Sequence, residues 1–355
     1  MKYSLKIIFT TFFLLLLFVN CKTVETNFVS KNHKIKNEID SILSSLNRNG
    51  EFNGNVLIGK NDRIIYNESF GFSNGNKKSL LTVIDKFNIG SIYKEIPAVA
   101  IMQLEEKNLL TLNDPISKYL EDLPDWSNNI TILNLLQYTS GLPKINWGKF
   151  EEINDENLIN DLFETSNLEF NPGENYLYTN YSPFLLSKIV ESISGESFEK
   201  YAQKNILEPF ELNHSRFNTS FPYQNRDSMA ISFDKDFVED NPPFKIKSSI
   251  FLFSTTTEDL FNYLKNLYSY KIIDKSSVIT IGKTPDLNIE DMQSALGSVK
   301  YQKDQIIEHT HHGSSGNYEG VINTNFLENS TIIILTNSNN GNVHSIKNSI
   351  QDLLR

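Results

Sequence analysis

Apolar positions fall into three regimes along the chain. They form one unbroken run at the start, short alternating blocks near both ends, and helically spaced sets in the middle. Ile35, Ile39, Ile42 and Leu43 recur at helical spacing and predict a helix from Lys34 to Leu46. Asn55 to Lys60 and Arg63 to Glu68 read as strands joined by a turn at Asn61-Asp62, and the polar stretch Gly71 to Lys78 as a loop. A helix opens at Ser91 and carries the apolar segment Ile96 to Leu104. Asn113-Asp114-Pro115 predicts a further short helix with Asp114 as its cap. From about 110 to 285 the pattern is mostly helical, with Ile130 to Leu136, Tyr181 to Ser192 and Glu258 to Tyr268 as the clearest segments. Turn-rich loops separate them, notably Asn171-Pro172-Gly173 and the polar stretch from Asn213 to Lys247. Strands return at Ser294 to Tyr301, Gln305 to His311, Tyr318 to Asn323 and Ser330 to Thr336, before a last helix from Val343 to Leu354.

This order predicts an α+β fold. One antiparallel sheet draws strands from both chain ends, the terminal helices cover one face, and a large, mostly helical insertion covers the other. The seam between sheet and insertion is the natural place for a pocket.

The first twenty residues stand apart. Lys2 and Lys6 precede an apolar run, Ile7 to Val19, that is too short for a comfortable membrane span and reads as a secretory signal. Cys21, the only cysteine, follows at once and suggests a lipid-modified bacterial lipoprotein. Asn20 departs from the small residue usual before such a cysteine. Ordinary signal cleavage and an uncleaved anchor are the alternatives, and all three place the body outside the cytoplasm. Residues 21–32 then form a polar tether, and 33–355 one body. A single cysteine allows no intrachain disulfide. The 355 residues are 39% hydrophobic, enough for a sizeable core. A net charge of −10 without a basic block argues against nucleic acid and against polybasic membrane binding.

Ser91-Ile92-Tyr93-Lys94 is the first chemical signal. Serine and lysine at i and i+3 share a helix face, where the amine can help remove the hydroxyl proton. The spacing recurs at Ser197-Phe198-Glu199-Lys200 and Ser232-Phe233-Asp234-Lys235, so context must choose. Tyr178-Thr179-Asn180 supplies a phenol that relays protons if a cation such as Lys94 lowers its pKa. Asn180 is placed to orient substrate and lysine. Tyr223-Gln224-Asn225 repeats this pattern without a following helix. His311-His312-Gly313-Ser314 ends a strand. Gly313 allows close backbone approach, and the N–H groups of Ser91 and Ser314 would form a two-donor oxyanion hole. His309 and His311 share a strand face, but a metal would need a third ligand, and the sequence offers no obvious partner.

Together these motifs resemble the serine β-lactamase-like superfamily, which includes class C β-lactamases, D-Ala-D-Ala carboxypeptidases, D-aminopeptidases and related esterases. Phe87 to Lys94, with Ala98 to Leu110, resembles its nucleophile helix, and Asn113 to Leu120 the segment after it. Leu135 to Pro143 resembles its His-Thr-Ser-Gly-Leu stretch, with Tyr138 in place of histidine. Pro172-Gly173 through Tyr178-Thr179-Asn180 is similar to its Pro-Gly…Tyr-x-Asn motif, and Ile206 to Phe210 to its Pro-Leu-Gly loop. Ser254-Thr255-Thr256 with Asp259-Leu260 resembles a helix start, and His311-His312-Gly313 the His-x-Gly variant of its Lys-Thr-Gly strand. The set runs in family order over about residues 35 to 350. Three departures stand out: histidine at 311 where class C enzymes carry lysine, the bulky Ile250-Phe251-Leu252, and Pro183 near a place usually held by tyrosine.

The resemblance implies an exported serine hydrolase acting through an acyl-enzyme on an amide, ester or lactam carbonyl, closest to the peptidase and esterase types. Ser91, Lys94 and Tyr178 would be catalytic, and Asn180, His311, Gly313 and Ser314 would bind substrate. No cofactor is implied, the partner is a small-molecule or peptide substrate, and oligomeric state is not readable. A non-catalytic penicillin-recognising sensor and a true β-lactamase are the alternatives.

Overall fold

The computed structural model describes residues 34–355; Cys21 and the segments read above as signal and tether lie outside the described residues. Helix α1, over residues 34–48, leads into strands β1 (Gly54–Lys60) and β2 (Arg63–Phe70). After the short β3 (Phe87–Asn88) and α2 (Glu95–Glu106) comes a block holding α3 (Ile132–Leu136), β4 (Glu152–Ile153), α4 (Asp155–Glu164), α5 (Tyr181–Ser194) and α6 (Phe198–Ala202). It continues through β5 (Arg216–Phe217), β6 (Lys245–Ile246), β7 (Phe253–Thr255), α7 (Thr257–Tyr268) and α8 (Lys275–Gly282). The chain closes with β8 (Ser298–Gln302), β9 (Gln305–Ser315), β10 (Tyr318–Asn325), β11 (Ser330–Thr336) and α9 (Val343–Leu354).

The main sheet has the order β2-β1-β11-β10-β9-β8, antiparallel at every pairing. Its middle pairing joins the two chain ends, from Gly54 opposite Thr336 to Lys60 opposite Ser330. Strand alternation sends side chains to opposite faces. On one face Val56, Ile58, Val321, Ile332 and Ile334 pack against Ile39 and Leu43 of α1 and Val343, Ile346, Ile350 and Leu354 of α9. On the other, Leu57, Ile322, Ile333 and Leu335 join the larger core under the helical block. Because both faces are covered, every residue of β10 is buried. Helix α2 lies inside this core, buried from Glu95 to Leu104, as a helix apolar nearly all round must be.

The predicted architecture is therefore the observed one, with local corrections. Asp114 caps no helix. Its carboxylate accepts from Thr111 N, Lys118 Nζ and Tyr119 Oη at 2.9, 2.9 and 2.6 Å, and the 3₁₀ turn Ile116–Lys118 follows Pro115 without a side-chain cap. Strand β8 starts at Ser298 rather than Ser294, because Ser294 and Gly297 exchange backbone hydrogen bonds across a turn. Helices α4 and α8 escape the apolar pattern, although Asn154 caps α4 by accepting from Asn157 N at 2.8 Å. The two- and three-residue strands are too short to carry a period.

Candidate active site

Asn88 sets the turn that presents Ser91. Strand β3 is held by β7, with Phe87 opposite Thr255. The Asn88 amide oxygen accepts from Gly90 N at 2.9 Å, and its nitrogen donates to Tyr223 Oη and Phe251 O, each at 3.2 Å. Gly90 takes φ +51°, and a Cβ there would lie 2.3 Å from Ser314 N, so glycine is required twice over. Ser91 sits in a 3₁₀ turn, Gly90–Lys94, that continues into α2 rather than at the first turn of an α-helix. In that geometry positions i and i+3 eclipse. Lys94 Nζ accordingly donates to Ser91 Oγ at 2.9 Å. Lys94 is 3% exposed, and burial lowers its pKa to about 7, so near neutrality much of it is free amine.

Tyr178 is delivered by a loop docked on the Thr139-Ser140-Gly141 stretch. Gly173 N donates to Thr139 O at 2.8 Å, Leu177 N to Tyr138 O at 2.9 Å, and Thr179 Oγ1 to Pro143 O at 2.6 Å. The phenol ring stands 4.8 Å from Lys94 Nζ and 4.6 Å from the Tyr138 ring. Its hydroxyl is buried without a well-formed hydrogen bond, though Ser91 is near enough to act on it. The condition that a cation such as Lys94 lower this pKa is not met. Burial pushes Tyr178 up to about 12, and the nearby Ser91 hydroxyl offsets only part of the rise. Desolvation disfavours whichever form is charged, so it frees the amine of its proton and keeps the phenol neutral.

Strand β9 closes the other side. A Cβ on Gly313 would lie 2.0 Å from Ile89 O and 2.8 Å from Ser91 N, so only glycine lets this strand meet the nucleophile turn. Ser91, Lys94, Asn180 and Ser314 line one cavity of about 260 Å³, walled by Tyr93, Trp147 and Phe251. Phe251, from the bulky stretch flagged in the sequence, packs edge-on against both Trp147 and Tyr93. A second cavity of about 370 Å³ adjoins it, sharing Phe244, Ile246, Ser315 and Gly316.

His311 is corrected. It does not line that cavity but lies 1% exposed behind it, its Nδ1 2.7 Å from Glu95 Oε1. His309 Nε2 is 3.2 Å from the same oxygen, and both His309 and Glu95 are fully buried. Alternation along β9 puts 309, 311 and 313 on the face toward α2, where Glu95 captures both imidazoles. Burial pushes Glu95 up, but the histidines outweigh it and hold the carboxyl at about 2. Burial in turn lowers His311 against the pull of Glu95. Glu95 is the site neighbour that sequence reasoning missed; its signal was a carboxylate directly ahead of the apolar run Ile96 to Met102. It is also the third donor that a metal reading lacked, all three donor atoms lying within 4.8 Å. The 2.7 Å contact is hydrogen-bond length, however, and two ligands of one tetrahedral zinc stand about 3.4 Å apart. The trio is a carboxylate–imidazole network that ties β9 to α2.

The repeated motifs have other work. Ser197 caps α6, accepting from Lys200 N at 3.4 Å. Ser232 Oγ donates to Asp240 at 2.5 Å, and Tyr223 holds Asn88. Pro183 sits in the first turn of α5, where a missing N–H costs nothing.

A serine beside a buried lysine, faced by a tyrosine and a glycine-ended strand, on this sheet-and-helical-block scaffold, is the arrangement of a serine hydrolase fold. The family model described as beta-lactamase matches residues 39–354, and the chain belongs to that family. Among curated relatives, "Protein flp" of Staphylococcus aureus (strain MRSA252) is 26% identical over 319 residues, 85% of this chain and 63% of that protein's length. The chain thus spans less than two thirds of that relative. Among solved structures, a penicillin binding protein from Bacillus halodurans aligns with a TM-score of 0.75 at 23% identity, covering 88% of this chain and 98% of that one. A D-amino acid amidase from Ochrobactrum anthropi SV3 aligns with a TM-score of 0.74 at 16% identity, covering 90% and 98%. Both share the fold.

Proposed function

We propose that this protein is an acyl-enzyme serine hydrolase of the peptidase or esterase type. The observation that carries this reading is the 2.9 Å Lys94–Ser91 contact with a lysine whose pKa burial brings to about 7. Ser91 Oγ attacks the carbonyl carbon as its proton passes to the free amine of Lys94. The oxyanion is held by the N–H groups of Ser91 and Ser314. Tyr178, a neutral phenol against both groups, donates its proton to the leaving group and regains one from Lys94. Water then attacks the ester and releases Ser91. Asn180 orients the substrate from the cavity wall, while His311 acts by position, keeping β9 in place through Glu95.

The test is covalent labelling by a fluorophosphonate probe, alongside turnover of an ester, a D-Ala-D-Ala peptide and a chromogenic β-lactam. The intact protein labels and turns over at least one substrate; Ser91→Ala does neither. Labelling that persists in Ser91→Ala refutes the assignment, and an acyl-enzyme that never turns over marks a sensor instead.

Export and lipid anchoring through Cys21 belong to the same proposal, on the strength of the signal-like run before it. Among the described residues no helix is long and apolar enough to cross a membrane. The intact mass of the mature protein tests the anchor: a diacylglyceryl adduct on Cys21 is expected, and an unmodified N-terminus removes it.

A further inference from the structure

Among the described residues, two charged side chains line the paired cavities: Lys94 and Asp240. Lys94 is committed to Ser91. Asp240 stands in the wall of the larger lobe, beside Phe221, Tyr223 and Phe244. Its carboxylate accepts from Ser232 Oγ at 2.5 Å, from Asn317 N at 2.7 Å and from Asn317 Nδ2. All three donors are neutral, so they solvate the charge without cancelling it, and among the described residues Asp240 makes no ion pair. The nearby cation Arg216 opens on a separate cavity behind Tyr223.

Resting on the hydrolase reading above, we propose that this lobe is an acyl-group subsite. It takes apolar groups that are uncharged or carry an amine, and it rejects groups bearing a carboxylate. A carboxylate substrate would leave water for a lobe with no cation among the described residues to receive it and a like charge in its wall, which is unfavourable on both counts. An ammonium would meet Asp240 and the faces of the surrounding rings, both attractive to a cation. The volume suits such a group: a cavity of about 150 Å³ holds benzene, and this lobe measures about 370 Å³. The inference separates substrates that the serine–lysine machinery treats alike. The separation is by acyl group: an aminoacyl ester or amide is favoured over a half-ester of a diacid, whereas the carboxylates of penicillin-type lactams and of C-terminal D-peptides lie on the leaving-group side and do not enter this lobe.

The experiment uses three thioesters with one leaving group and acyl chains that differ in a single substituent: 3-phenylpropanoyl, D-phenylalanyl and benzylmalonyl. Because an α-ammonium activates the carbonyl by itself, each kcat/KM is divided by that thioester's spontaneous hydrolysis rate; the expected order of these ratios is ammonium first, neutral next, carboxylate last, with about tenfold or more between the extremes at low salt. Added salt narrows that gap, a readout that needs no variant. Asp240→Asn keeps an acceptor for Ser232 and brings the ammonium-to-neutral ratio near one. A carboxylate thioester that matches the neutral one, or a ratio unchanged in D240N, overturns the subsite. Ser91→Ala runs in parallel and must erase turnover of all three. Turnover that survives it overturns the hydrolase reading, and this one with it.

Discussion

On one face of the main sheet, Val56, Ile58, Val321, Ile332 and Ile334 meet α1 and α9 through an apolar layer. On the other, Leu57, Ile322, Ile333 and Leu335 sit in a core that also encloses Lys94, Glu95, His309 and His311. The strands are the same; only the alternation differs. His312, one residue from His311, points the opposite way, 3.0 Å from Glu319 and with its ring 5.0 Å from that of His344 of α9. A slip of one residue in β9 would exchange the two histidines and lift Gly313 off the nucleophile turn. The comparison teaches that the apolar helical block does more than cover the sheet. By excluding water it drives Lys94 toward the free amine and makes Glu95 depend on its two imidazoles.

Breaking the chemical face should have the largest effect, and on rate alone. Lys94→Met removes the buried amine but keeps its volume. A loss of about a thousandfold or more in kcat/KM is expected. The denaturation midpoint should stay level or rise, since methionine has no charge to desolvate. A matching fall in stability would mean that Lys94 is there for packing. In the unaltered protein kcat/KM should climb about tenfold per pH unit up to about pH 7, then level, because burial lowers the lysine pKa and only the free amine can accept the serine proton. A limb placed near pH 10 would show a solvated lysine.

Breaking the packing face should do the reverse. Ile350→Ala on α9 leaves a cavity in the apolar layer and should cost about 2–5 kcal/mol of unfolding free energy. The kcat of the folded fraction should be unchanged, as read by chemical denaturation beside active-site titration. A kcat that falls with stability would show that the two faces are coupled through the strands.

Much of this was legible before any coordinates. Alternation in β1, β2, β10 and β11 and the helical spacing of α1 and α9 gave the sheet and its covering helices, because each signal lies within a few neighbouring residues. Ser91 is separated from Ser197 and Ser232 by its strand-to-helix setting and its downstream partner motifs, and the structure gives those two serines a cap and a partner in Asp240. Of the bulky Ile250-Phe251-Leu252 stretch before the Ser254-Thr255-Thr256 helix start, Phe251 stands in the wall of the Ser91 cavity. Asp114 was misread because a turn aspartate and a helix cap look alike in one dimension. Tyr178 does stand near Lys94, but the lowered phenol pKa that its relay role was made to depend on is absent, because the sequence shows a cation nearby but not how dry the place is.

The chain by itself determined the order of elements, the face each strand residue takes and the inventory of reactive groups, all set by local periodicity and residue chemistry. Only the tertiary structure decided that Glu95 would meet His311, 216 positions away, that glycines at 90 and 313 would let two backbones touch, and that Asp240, without an ion pair among the described residues, would stand in the wall of the lobe adjoining the Ser91 cavity. Burial and pairing depend on which distant segments arrive at one place, and no stretch of sequence carries that information alone.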